Sequence, residues 1–313
     1  MQRCSILLRL TDPNGQMNYG EVAPLEAFGS ETWDQAMAFC QALPDQISWE
    51  DIQRIPSQLP ATQAGLELLW QNLMDPAPFW PLPTCGLLPA GEKALETLSH
   101  LKEKGYPTLK WKIGVYPFQE EILIFQSLYD RIQKECPQTQ LRLDANGGLT
   151  LQESEQWLML CEGKAIEYLE QPLTTKADLL YLARQNYSTP LGLDEAIRSL
   201  KHLQDWYQTQ WSGIFVIKPS ILGSVTQFQA WYLEHPCDVV FSSAMESSIG
   251  QYQVMQWIRK LWSSLPQHRA IGFGVNHLFP PDKIPDPATT PLELLSPHWQ
   301  ELWQAIENNS QRI

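Results

Sequence analysis

Short apolar runs, most closed by a polar or charged residue, recur along this chain at a near-constant pitch. They are TCGLLP (84–89), TLKWKI (108–113), LRLDA (141–145), IEYLEQ (166–171), PLGLDE (190–195), GIFVIK (213–218), CDVVFSS (237–243) and AIGFGV (270–275). Longer segments with helical spacing of apolar positions separate them. Eight strand candidates alternating with helices predict a parallel sheet, and over residues 85–277 an α/β fold of the (β/α)8 TIM-barrel type. A doubly wound open sheet would want a glycine-rich phosphate loop after an early strand. GVYPFQ, after the second run, has a single glycine.

The ends of the chain read differently. Residues 4–11 and 16–23 flank the turn signal DPNG and predict a β-hairpin. Helical patterns follow over 30–43, with Ser30 as N-cap, and over 60–74, with Pro60 in the first turn. DPAPFWPLP (75–83) reads as a linker. After residue 277 the chain is proline-rich again, and a helix is predicted over 296–308. Residues 1–84 are therefore expected to form an α+β capping domain, with 278–313 folding back onto it.

Five charges stand out against this pattern. Lys112, Asp144, Glu170, Asp194 and Lys218 each end an apolar run, at intervals of about 32, 26, 24 and 24 residues. A charge at the end of a buried strand is costly unless something uses it. In a barrel all five fall on the C-terminal rim, where active sites of that fold lie. Lys110 is two residues from Lys112 and shares its face, with Trp111 on the other; the competing reading is an edge strand with solvated lysines. Three converging carboxylates repel unless a cation sits among them, and oxygen ligands suit Mg²⁺, with Mn²⁺ as a substitute. Taken singly, each carboxylate could instead cap the helix after its strand. A metal flanked by lysines suits removal of a proton α to a carboxylate.

Composition narrows the partners. A formal charge of −13 argues against nucleic acid but not against a small anionic substrate. No apolar window is long enough to span a membrane, and the N-terminus lacks a signal-peptide pattern, so a cytoplasmic protein is expected. The 6 cysteines are scattered, without a CxxC pair, and read as thiols. The 13 tryptophans read as packing. No surface stripe calls for a second copy, and a monomer is expected.

KWK, LDAN, LEQP, LDE, IKPSILGS and SSAMESS, in that order, resemble the muconate-lactonizing subgroup of the enolase superfamily, and within it most closely the o-succinylbenzoate synthase family. The likeness spans nearly the whole chain; YGEVAPLEAFGSETWDQA (19–36) looks like the subgroup's capping-domain loop and helix. The resemblance implies a modified (β/α)7β barrel and the superfamily's known chemistry, a lysine base with Mg²⁺ stabilising an enediolate. It implies dehydration of a succinyl-bearing cyclohexadiene carboxylate to an aromatic acid in menaquinone or phylloquinone synthesis. On that basis Asp144, Glu170 and Asp194 would bind Mg²⁺. Lys112 would be base and acid, and Lys218 would lie over the opposite ring face. Lys110 would support the substrate carboxylate. Arg142 would help position Lys112, and Asn146, Ser242 and Gly272 would lie near the substrate. Ser242 also fits a helix cap.

Two departures from the subgroup are visible. Its capping domain begins one strand before Met1, so lid contacts to a succinyl tail are not assigned. The eighth strand, IGFGV, lacks the Asp-x-Asp of dipeptide epimerases. That absence disfavours a dipeptide epimerase, and an N-acylamino acid racemase and a non-catalytic barrel binding an aromatic acid are the other rivals. Glu195 is expected on the opposite face from Asp194, as a structural residue. Glu246 is expected as a helix-start carboxylate. Histidines 100, 202, 235, 268, 277 and 298 fall away from the strand ends, which argues against a His–Asp dyad.

Overall fold

A computed structural model describes residues 4–275 and 285–310, with the backbone alone at 309 and 310. The N-terminal hairpin forms as expected. Strand β1 (Ile6–Thr11) pairs antiparallel with β2 (Met17–Val22), from Ile6 opposite Val22 to Thr11 opposite Met17. Asp12 shapes the turn, its Oδ1 accepting from the backbone N–H of Asn14 and of Gln16.

Helix α1 (Trp33–Gln41) starts later than expected. Its N-cap is Thr32, in a reciprocal capping box with Gln35. Ser30 instead accepts a hydrogen bond from the Leu25 N–H. A five-residue helix absent from the sequence reading, α2 (Trp49–Gln53), begins at the Ser48–Asp51 capping box. Helix α3 (Pro60–Met74) begins at its proline. Its first-turn N–H groups, at Ala61 and Thr62, donate to the buried carboxylate of Glu31.

Eight parallel strands follow: β3 (Thr84–Leu88), β4 (Thr108–Lys112), β5 (Gln140–Asp144), β6 (Ile166–Glu170), β7 (Leu191–Leu193), β8 (Ile214–Ile217), β9 (Val239–Phe241) and β10 (Ile271–Gly274). Between them run α4 (Lys93–Leu101), α5 (Phe118–Glu135), α6 (Leu151–Cys161), α7 (Lys176–Ala183), α8 (Leu200–Tyr207), α9 (Val225–Glu234) and α10 (Ser248–Leu261). The strand order is β10-β3-β4-β5-β6-β7-β8-β9. A parallel bridge between Ser242 and Gly272 joins the two ends and closes the barrel. The result is the (β/α)7β barrel.

Period two along each strand sorts side chains between two layers. On β8, Ile214 and Val216 point inward to Tyr168 and Val240, while Phe215 and Ile217 join the core between sheet and helices. Trp111 is fully buried in that outer core, with its ring stacked 6.4 Å from Phe125. Lys110 and Lys112, on either side of it, therefore face inward.

The last helix, α11 (Leu292–Ser310), is longer than the 296–308 expected and carries Pro297 within it. Its Trp299 is fully buried between Tyr19 of β2 and Tyr252 of α10. The C-terminal segment thus packs on both the hairpin and the barrel. Residues 278–284 of that segment, and His277, lie outside the described residues. Among the described residues no helix is long and apolar enough to cross a membrane.

Candidate active site

The strand register sets the rim. Lys112 lies directly opposite Asp144, and Asp144 opposite Glu170. Asp194 and Lys218 each lie one residue past a strand end, on β7 and β8. β4 and β8 are four positions apart in a ring of eight, so Lys112 and Lys218 stand on opposite sides of the mouth. The three carboxylates occupy the intervening strands on one arc. A cavity of about 460 Å³ opens among these side chains, and it also reaches Arg142, Asn146, Ser242 and Gly272.

All three carboxylates are buried, Glu170 completely. Lys110 donates to Glu170 Oε1 at 3.0 Å and forms an ion pair with Asp144 Oδ2 at 2.8 Å. Lys218 pairs with Asp194. Burial alone would lower the Lys110 ammonium, but Asp144 and Glu170 overcome it and hold the group well above its ordinary value. At the other end of that contact the balance reverses. Burial and the neighbouring Asp144 charge push the Glu170 carboxyl up to about 8 against the opposing pull of Lys110.

The donor set fits a hard divalent cation. It is all oxygen, and Glu170 Oε2 is buried with no hydrogen-bond partner. Among the described residues, however, no group of three or more His, Cys, Asp or Glu side chains is arranged to hold a metal ion as it stands. Lys110 and Lys218 lie against the acceptors instead.

The remaining predicted residues meet mixed fates. Asn146 holds a positive φ of 44° and donates to Glu195 Oε1 at 2.9 Å. Glu195 therefore lines the cavity instead of facing away. β7 ends at Leu193, so strand alternation does not extend to residue 195. Ser242 is not a helix cap; it forms the barrel-closing bridge. Gly272 is required there, because a Cβ would lie 2.8 Å from Ser242 Oγ. Arg142 is 1% exposed and its guanidinium is bound to Glu167, at 2.6 and 3.2 Å. Glu246 stands just before the start of α10, as expected, and is buried. It accepts from Ser220 and Ser243 hydroxyls at 3.0 and 2.8 Å, and burial raises its carboxyl above the usual range.

Much of the cavity wall was not anticipated. Leu25 and Phe28 come from the loop after β2, Tyr168 from β6, and Met245 from the loop after β9. The Phe28 ring lies 4.3 Å from Lys218 Nζ. The sequence carried a signal for the first pair, since the capping-loop resemblance runs through both.

Comparison with known proteins follows the same line. Residues 93–233 match the enolase C-terminal domain-like family model. The chain is 36% identical to o-succinylbenzoate synthase of Thermosynechococcus vestitus, over 97% of this chain and 92% of that one. The chain belongs to the o-succinylbenzoate synthase family. This is a family of lyases in the enolase superfamily. The crystal structure of o-succinylbenzoate synthase from Thermosynechococcus elongatus, with magnesium in its active site, superimposes with a TM-score of 0.81 at 35% identity, covering 97% and 92% of the two chains. The Vibrio cholerae o-succinylbenzoate synthase is 28% identical over 83% of this chain and 79% of its own. Muconate lactonizing enzyme from Pseudomonas putida, at 16% identity and a TM-score of 0.73 over 90% and 85% of the two chains, shares the fold. The match to o-succinylbenzoate synthase thus runs over nearly the full length of the chain.

Proposed function

We propose that this protein catalyses the Mg²⁺-dependent syn-dehydration of 2-succinyl-6-hydroxy-2,4-cyclohexadiene-1-carboxylate to o-succinylbenzoate, in menaquinone or phylloquinone synthesis. The observation that carries this is the pair of lysines, Lys112 and Lys218, on opposite sides of one mouth with three carboxylates on the arc between them. Family membership supplies the substrate.

Lys112 is exposed to the cavity and takes the proton α to the ring carboxylate. It returns that proton to the hydroxyl leaving from the same face. One C–H and one C–O bond break, water departs, and the ring becomes aromatic. Lys218 faces the other side of the ring and stabilises the electron-rich intermediate. Asp144, Glu170 and Asp194 would hold Mg²⁺, or Mn²⁺ on the same oxygen donors. The ion supplies positive charge where density builds on the substrate carboxylate. Lys110, beside Asp144 and Glu170, would add positive charge at that end. Arg142, Asn146, Ser242 and Gly272 line the space around the ring. The barrel carries the chemistry, and the loop after β2 contributes Leu25 and Phe28 to its cavity.

The same pair of lysines also fits racemisation of an N-acylamino acid. Two measurements separate the readings. Dehydration yields an aromatic ultraviolet chromophore, whereas racemisation in D₂O puts deuterium at the substrate α-carbon. Lys112→Ala is expected to lower the dehydration rate by about two to four powers of ten. Chelation should abolish the rate and Mg²⁺ restore it. Full dehydratase activity in both Lys112→Ala and Asp144→Asn would refute the site.

A further inference from the structure

Four residues other than glycine hold a positive φ among the described residues: Asn146, Gln171, Gln210 and Met245. Asparagine adopts that region readily, but a long apolar side chain pays a steric penalty there. Met245 sits at φ 64° in the loop after β9. It is 38% exposed and its side chain lines the cavity.

The surrounding groups hold this conformation in place. Ser243 Oγ accepts from the Met245 N–H at 2.9 Å and donates to Glu246 Oε2 at 2.8 Å. Glu246 Oε1 accepts from Ser220, two residues past Lys218, and the Glu246 carbonyl accepts from Gln251. A buried network therefore ties the Met245 turn to the segment that carries Lys218. Glycine would fit the turn without strain. Backbone strain held in place in this way clusters at binding and catalytic sites.

We infer that Met245 is a specificity-determining residue whose thioether side chain, with Leu25 and Phe28, forms an apolar wall against the carbocycle of the substrate. The inference rests on the dehydratase reading above. Such a wall favours a ring over the linear, hydrogen-bonding backbone of an acylated amino acid. A flexible, polarisable thioether suits a ring that flattens as it becomes aromatic.

Three variants test it, Met245→Gly, Met245→Ala and Met245→Leu, read by thermal melting, calorimetric titration with o-succinylbenzoate and steady-state kinetics. Met245→Gly should melt no lower than the parent, because it relieves the turn. It should nevertheless bind o-succinylbenzoate about tenfold more weakly, with KM rising more than kcat falls. Met245→Ala should lose similar affinity and melt below Met245→Gly. Met245→Leu should regain most of the affinity. Parental affinity in Met245→Gly, or affinity in Met245→Leu as poor as in Met245→Ala, overturns the inference while the dehydratase reading stands. A parent that neither forms nor binds o-succinylbenzoate overturns both.

Discussion

Arg142 shares a strand face with Asp144, yet its guanidinium is committed to Glu167 rather than to the rim. The cause is a slip in the β5–β6 register. Leu141 pairs with Ile166 but Arg142 pairs with Tyr168, so Glu167 is the extra residue of a β-bulge. The bulge aims a carboxylate at Arg142, and Arg269 joins it at 2.7 Å while also holding Asp238. Glu167 is the second residue of β6, and Asp238 and Arg269 precede β9 and β10, so this ionic floor lies at the end of the barrel away from the mouth. Burial alone would raise the Glu167 carboxyl, but Arg142 and Arg269 hold it below its ordinary 4.5. A depressed folded value stabilises the fold above the unfolded value and is lost as pH falls through the folded one. Glu167→Gln should cost about 3–5 kcal/mol at neutral pH, where it leaves buried guanidinium charge uncompensated. Urea midpoints of parent and variant should converge as pH falls below 4.5. Parallel midpoint curves over that range would show that Glu167 carries no such linkage.

At the scale of elements, the strands were legible because both of their faces are buried, which leaves runs such as IFVI unbroken by polar residues. The lysine parity on β4 was legible for the same geometric reason. What escaped has physical causes. Helix α2 is too short to show a period, although Ser48 and Asp51 form a capping box. Glu195 was misread because alternation ends with the strand. The Glu167 bulge leaves no mark in a period-two pattern. Close approach between elements is also invisible in sequence, and Gly65 on α3 is an instance. A Cβ there would lie 2.6 Å from the Glu21 carbonyl oxygen and 2.8 Å from Val22 Cγ2. Alanine would improve helix propensity by about 1 kcal/mol. The carbonyl belongs to β2 and cannot yield without moving the strand, so overpacking of about 1–3 kcal/mol should win. Gly65→Ala is thus expected to lower the urea midpoint, despite being a glycine-to-alanine change within a helix. A raised midpoint would mean that α3 is free to shift away from β2.

For the whole molecule, the question is what holds the capping segment over the barrel mouth. The joint is built from carboxylates that cap barrel helices from outside the barrel. Ser247 precedes α10 but makes no cap bond with its own side chain. Glu21, on β2, takes that role: its Oε2 accepts from the N–H groups of Ser247 and Gly250 at 2.9 and 3.1 Å, and from the Ser247 hydroxyl. Glu67 of α3 adds to the Ser224 cap of α9, accepting from Thr226 N–H at 3.0 Å. Gln253 bonds both the N–H and the carbonyl of Glu21. These contacts place a negative charge where the helix dipole is positive. They also set the position of the loop that follows β2, which carries Leu25 and Phe28 into the cavity. Glu21→Ala would leave two N–H groups without acceptors, at about 1–3 kcal/mol each. The melting temperature should fall by several degrees, and KM should rise as the Leu25–Phe28 loop loses its anchor. Gly250 offers an independent approach to the same joint, since a Cβ there would meet Glu21 Oε2 at 2.6 Å. Gly250→Ala leaves the carboxylate present but displaces it, and should reproduce both effects. Should Gly250→Ala lower stability while KM keeps its parental value, the Glu21 joint would be a fold contact only, and the loop would owe its position to other residues.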